Sequence, residues 1–204
     1  ETGKVFIIFG TTNALSSLDL ATLNGTNGCV VVGEDVSDHA GHAVAGITDF
    51  NGDGLKDVVV GAHTAPDFWQ PGRAYVVFGR THWDATVSLA GLDGTNGLRI
   101  DGDQIFGTLG CAVAGGDING DGYCDVIVGA SPLNKVFALF GGGSSSPVVA
   151  VTNFNGTNGF SLAYTNTSVS FGAAVAVGPA INADTYSDIV VGAPALAPSG
   201  QTSA

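Results

Sequence analysis

The sequence predicts an all-β protein built of repeated sheets that stack face to face, as the blades of a propeller do. Three observations lead there. The apolar runs DVVVGA, DVIVGA and DIVVGA open at Asp57, Asp125 and Asp188, at spacings of 68 and 63 residues. The runs VFIIFG, YVVFG and VFALFG close at Gly10, Gly79 and Gly141, and the turns NGTNG, DGTNG and NGTNG begin at Asn24, Asp93 and Asn155. Three kinds of landmark therefore keep one order at a period of about 60–70 residues, which is the mark of a repeated β-unit. The VVV-type strands are apolar on consecutive residues, so they are expected to be buried on both faces, where a sandwich strand would alternate.

Within the second unit, strands are expected near 73–79, 87–91, 97–102, 111–116 and 125–130. Gly, Asp and Asn turns separate them, and each stretch carries the β-branched or aromatic residues that suit a pleated surface. Between the strands lie two nine-residue segments, DFNGDGLKD from Asp49 to Asp57 and DINGDGYCD from Asp117 to Asp125. Each places oxygen ligands at positions 1, 3, 5 and 9, with glycines where a tight loop turns back. Asp49, Asn51, Asp53, Asp57 and the Leu55 carbonyl can converge on one hard cation. Asp117, Asn119, Asp121, Asp125 and the Tyr123 carbonyl repeat the set. An all-oxygen set in a flexible loop suits Ca²⁺, whereas Mg²⁺ would retain more of its water. The opening half matches an EF-hand loop, but position 12 is Val60 or Val128 rather than Glu, and strands rather than helices flank it. Without a cation, the three Asp carboxylates within each nine-residue segment would repel one another at a turn.

The units resemble FG-GAP repeats, the blades of integrin α-subunit propellers and of related secreted proteins. The FG element is intact as Phe171-Gly172, with Leu109-Gly110 and Ala40-Gly41 in the equivalent places. The GAP element reads Gly61-Ala62-His63, Gly129-Ala130-Ser131 and Gly192-Ala193-Pro194. The resemblance covers nearly the whole chain and implies Ca²⁺ at both complete loops. A third loop departs from the pattern: Ala180 stands where the first Asp should be, leaving Asn182, Asp184, Asp188 and the Tyr186 carbonyl as a weak or empty site.

Read in the blade order that the resemblance implies, the chain holds three four-stranded repeats. Residues 42–102 and 111–163 are complete blades with calcium loops. Residues 4–33 supply the C-terminal half of a blade, and 173–193 the N-terminal half with the degraded loop. The third blade is thus completed by the N-terminal strands or by another chain. Known propellers have about four to eight blades, so a homodimer forming a six-bladed ring and a fragment of a longer propeller are both expected forms.

Composition fits an extracellular or cell-surface β-protein. Only 12% of residues are charged, 32 are glycine, and the net charge of −12 is mostly due to Asp. Such a chain lacks the clustered Lys and Arg that nucleic-acid binding needs. It also lacks the run of roughly 18 apolar residues that spans a membrane. The opening Glu1-Thr2-Gly3 is compatible with a leader already removed. Of the three cysteines, Cys111 and Cys124 flank a loop in a way that places them too far apart for a disulfide, so buried thiols are expected. Asn24, Asn155 and Asn166 begin N-x-Ser/Thr sequons, although NGTNG is already a turn signal without glycan. His39 and His42 have a spacing that a transition metal could use, but it also fits a loop entering a strand, which is the expected role. Trp69, Trp83 and Phe68 stand in long loops, where large aromatics mark a contact surface or cap a blade edge. There is no G-x-S-x-G elbow and no evident His-Ser-Asp set, so no enzyme activity is expected of the chain itself. The leading expectation is a calcium-stabilised interaction module for adhesion or receptor recognition through a protein partner. A propeller lectin binding glycan, and a non-catalytic propeller domain of a secreted hydrolase, are the alternatives.

Overall fold

The computed structural model describes residues 2–12, 17–66, 69–142, 146–165 and 169–195. Strands β1 (Lys4–Ile8) and β2 (Gly28–Val32) form the core of a first sheet. A second contains β3 (Ala43–Gly46), β4 (Val58–Ala62), β5 (Arg73–Val77) and, across the β6 segment (Thr86–Ser88), β7 (Gly97–Asp101). A third sheet holds β8 (Ala112–Gly116), β9 (Asp125–Ala130), β10 (Lys135–Leu139) and, beyond β11 (Val148–Ala150), β12 (Gly159–Ala163). Strands β13 (Ala174–Gly178) and β14 (Asp188–Gly192) pair as a fourth. Neighbouring strands within these sets are antiparallel, with Val58 opposite Val77 in β4–β5 and Val126 opposite Leu139 in β9–β10.

The strand expected near 87–91 is shorter than predicted, and its place is different. β6 pairs in parallel with β2, so the second repeat supplies the outermost strand of the first sheet. β11 does the same one repeat later, pairing in parallel with β7 of the second sheet.

Consecutive apolar residues are buried because each strand serves two cores. From β4, Val60 packs with Val31, Tyr75 and Val77 between the first and second sheets. Val59 turns the other way and joins Val76, Leu98, Val126 and Val128 between the second and third. Ile127, one residue along β9, points to the third interface, against Val175, Val177, Ile189 and Val191. Each such side chain contributes about 1.5–3 kcal/mol when fully buried. That two-sided burial is the physical content of the VVV pattern.

Glycines set the spacing of the sheets. A Cβ on Gly61 would lie 2.1 Å from the Gly110 carbonyl oxygen of the next sheet, and one on Gly129 would lie 2.2 Å from that of Gly172. Gly110 and Gly172 have φ near +90°, a region that L side chains rarely adopt. The glycines of the FG and GAP elements therefore interlock adjacent sheets. All three cysteines are free thiols; Cys29 and Cys124 are buried and Cys111 is half-buried.

Candidate metal centre

The segment Asp49–Asp57 links β3 to β4, and Asp117–Asp125 links β8 to β9, so both loops lie at the same end of their sheets. Asp49 organises the first loop by accepting N–H bonds from Gly52 (2.7 Å), Asp53 (3.2 Å) and Gly54 (2.7 Å). Asp53 accepts the N–H of Leu55 at 2.8 Å and the Asn51 amide at 2.9 Å. Asp57 is buried, and its two oxygens accept the N–H groups of Phe50 and Gly79, both at 2.7 Å. The second loop repeats the frame: Asp117 accepts from Gly120 and Gly122, Asp121 from Tyr123 and Asn119, and buried Asp125 from Ile118 and Gly141.

Burial pushes the Asp57 carboxyl above the ordinary carboxylate range. The N–H groups of Gly79 and Phe50 oppose the rise, and the negative charges of Asp53 and Asp49 add to it. Asp125 is raised in the same way, against the N–H groups of Gly141 and Ile118 and with Asp121 and Asp117. Each loop thus concentrates negative charge around one buried carboxyl.

The donors fit a hard divalent cation in kind: carboxylate, amide and carbonyl oxygens, with no nitrogen or sulfur among them. Among the described residues, no group of three or more His, Cys, Asp or Glu side chains is gathered as a metal cluster. The loop carboxylates face backbone N–H groups, those of their own loop and, for Asp57 and Asp125, also those of Gly79 and Gly141. Each carboxylate oxygen has a further lone pair beyond the bond it accepts.

The third loop keeps part of the frame. Asp184 accepts from Tyr186 and Asn182, and Asp188 accepts the N–H of Ile181. Ala180 offers no carboxylate to the turn. Ala183 sits at φ +67° where the other loops have Gly52 and Gly120, a conformation that costs a residue with a Cβ about 1–2 kcal/mol.

Successive loops are joined, which was not foreseen from the sequence. Cys124 donates its N–H to the Asp49 carbonyl at 2.8 Å, and Ser187 donates to the Asp117 carbonyl at 3.0 Å. The Tyr123 ring lies over Gly52, where a Cβ would come within 2.7 Å of it, and Tyr186 covers Gly120 in the same manner. The available signal was the aromatic residue at position 7 of the second and third loops, against Leu55 in the first.

The opposite end of the sheets carries other chemistry. His63 joins His39 and His42, with ring centroids 5.7 and 3.9 Å from its own. Burial and the two neighbouring imidazoles lower the His63 pKa to about 4. Arg73 and Arg99 bridge Glu34, Asp35 and Asp101 at 2.8–3.2 Å, tying the loop after β2 to β5 and β7. Tyr75 donates its hydroxyl to Glu34 at 2.9 Å. Trp69 is exposed beside Phe106, at a centroid distance of 6.4 Å, whereas Trp83 packs against the first core and takes Arg80 over its ring at 4.8 Å. Asn24 and Asn155 are exposed, each accepting N–H and O–H bonds from the Thr of its own sequon. Asn166 and Phe68 lie outside the described residues. No helix among the described residues is long and apolar enough to cross a membrane.

Repeated sheets with one loop type at one end define a class, the repeat-built β-propellers. The chain belongs to the FG-GAP repeat family, whose repeat is matched at residues 40–77 and 110–146. It is 30% identical over 150 residues to human phosphatidylinositol-glycan-specific phospholipase D, covering 72% of this chain and 16% of that protein. It is 31% identical over 156 residues to integrin alpha-5 of Xenopus laevis, covering 75% of this chain and 13% of the relative. Mouse integrin alpha-IIb is 36% identical over 99 residues, or 48% of this chain and 9% of the relative. The chain thus spans less than a fifth of the length of these relatives.

Proposed function

We propose that the chain is a calcium-stabilised extracellular interaction module, non-catalytic itself, that recognises a protein partner in adhesion or receptor binding. The observation that carries this reading is the pair of near-identical acidic loops, each closed around a buried carboxyl and fastened to the loop of the next sheet. Ca²⁺ held by Asp49, Asn51, Asp53, Leu55 and Asp57, and by Asp117, Asn119, Asp121, Tyr123 and Asp125, would neutralise charge that burial makes costly. Bound there, it rigidifies one end of the stack. The loops at the other end, with Trp69 and the arginine–carboxylate network, are left as the recognition surface. The likeness to integrin α-chains supports a protein partner and a location outside the cell. Residues 4–33, 42–102, 111–163 and 173–193 are the units of this reading, with glycan at Asn24, Asn155 or Asn166.

Thermal melting with Ca²⁺, with Mg²⁺ and with chelator tests it. A rise in melting temperature specific to Ca²⁺ is expected, and equal melting in all three would end the calcium reading. A second reading, a non-catalytic propeller domain of a secreted hydrolase, is favoured by the likeness to a phospholipase D. Binding of phosphatidylinositol-glycan to this chain, with none to protein partners, would favour it. A glycan array distinguishes a lectin role for Trp69, whose replacement by Ala would then abolish the signal.

A further inference from the structure

Three of the four histidines of the chain meet at one place, at the end of the sheets opposite the acidic loops. His39 and His42 lie in the turn that leads into β3, and His63 follows the last residue of β4. The fold needs no imidazole at any of these positions, as the other repeats show. The turn His39-Ala40-Gly41-His42 recurs as Thr108-Leu109-Gly110-Cys111 and as Ser170-Phe171-Gly172-Ala173. Its first residue has φ of +54°, +48° and +54° in turn, and the carbonyl of that residue accepts the N–H of the fourth in all three. Ser131 and Pro194 stand where His63 does. The turn therefore forms equally well without histidine, and only one repeat carries the three rings.

Two of the rings present a defined lone pair. The Thr64 hydroxyl has one proton, which it donates to the Ser37 carbonyl at 2.6 Å. The same oxygen lies 2.6 Å from His39 Nδ1, so that nitrogen is the donor and the His39 lone pair is on Nε2. His63 Nδ1 is buried and has no hydrogen-bond partner among the described residues. A buried polar atom without a partner is rare enough in a folded protein to require a reason, and an ion is one. Burial and the neighbouring imidazoles keep His63 neutral at pH 7, which is the form that ligates a metal.

We propose that His39, His42 and His63 form a binding site for a divalent transition ion of the zinc class, held through three imidazole nitrogens. Imidazole donors suit Zn²⁺, Cu²⁺ or Ni²⁺, in contrast to the hard ions that the acidic loops suit. Three protein ligands with water in the fourth position is an established zinc geometry. The His63 ring is the hub, with its centroid 3.9 Å from that of His42 and 5.7 Å from that of His39. The rings touch without enclosing a common point, and among the described residues no three such side chains stand as a finished cage. Thr64 holds His39 and His63 is half-buried, so the closing adjustment falls to His42, which is exposed and exchanges rotamers readily. Thr64 is a positioning residue, the outer partner that fixes the tautomer and the ring of a ligating histidine. Ligation clips the turn before β3 to the end of β4. The inference is independent of the calcium reading, because it uses neither the acidic loops nor their carboxylates.

Calorimetric titration of Zn²⁺ into the full 204-residue chain, in buffer with excess Ca²⁺, is the test. One Zn²⁺ per chain is expected, bound in the presence of the calcium. Thr64→Val should weaken binding by roughly 10–100-fold, the usual cost of losing an outer partner, and His39→Ala or His42→Ala should weaken it further. Both histidines are exposed, so these variants keep the fold, which circular dichroism checks. His82→Ala, which removes the fourth histidine, and Cys111→Ser should leave the affinity unchanged. Electron paramagnetic resonance of the Cu²⁺-loaded chain should show imidazole nitrogen couplings that diminish in His63→Ala. No Zn²⁺ binding, binding that survives both His39→Ala and His42→Ala, or binding lost equally in His82→Ala would overturn the proposal. Melting in calcium and in chelator reads the calcium claim separately, so either claim can fail alone.

Discussion

Asp121 and Asp125 sit four residues apart in one loop, yet removing each carboxylate should have different consequences. Asp125→Ala leaves the half-buried N–H groups of Ile118 and Gly141 without acceptors. At about 1–3 kcal/mol for each unsatisfied donor, the loss is about 4 kcal/mol in chelator, and in calcium the forfeited cation binding adds to it. Asp121 is exposed and holds the Tyr123 N–H and the Asn119 amide, so its own bonds are worth about 1 kcal/mol. If the loop binds Ca²⁺, a cation at a hundredfold excess over Kd adds about 2.7 kcal/mol to the folded state. Asp121→Ala forfeits that gain, so it should cost roughly 4 kcal/mol in calcium and about 1 kcal/mol in chelator. At about 2–4 °C per kcal/mol for a chain of this size, the calcium-dependent difference is roughly 5–11 °C. Differential scanning fluorimetry of wild type and both variants, in calcium and in chelator, measures it. An Asp121→Ala penalty that is the same in both buffers would refute the reasoning.

Three further outcomes are expected. Ala in place of Asp184 should leave the calcium dependence of melting unchanged, because Ala180 has already removed a ligand from that loop; calorimetric titration of the variant checks this. Stability should fall as pH drops from about 6.5 towards 4, because His63 is held neutral in the fold while the unfolded chain takes up the proton first. Urea unfolding across that window should show the slope, and His63→Gln should flatten it. Gly129→Ala drives a Cβ into the Gly172 carbonyl and should cost roughly 1–3 kcal/mol by chemical denaturation, whereas Gly46→Ala, with open space around it, should cost less than 1 kcal/mol.

The sequence carried the repeat, the all-β class and the acidic loops because each depends on local spacing. Two-sided burial was legible in VVVGA for the same reason: alternate side chains of one strand reach two different cores. What escaped was non-local. The 86–88 stretch reads as a strand, but nothing in its residues says that it pairs backwards with β2. His39 and His42 drew notice by their spacing, while His63, which meets them, is 21 residues beyond His42 and needs the β3–β4 pairing to arrive. The coupling of one loop to the next likewise runs through backbone groups of Cys124 and Asp49, which no side-chain pattern announces.

Because β6 and β11 each complete the sheet of the repeat before them, the unit that is copied in the sequence is not the unit that is closed in space. Excising one 60–70-residue period removes a neighbour's outer strand along with its own sheet. Inserting one must supply that strand anew. Lineages that lengthen or shorten such a chain are therefore confined to in-phase duplications and deletions. A cut elsewhere leaves β2 or β7 bare, however well the remaining repeats match the consensus.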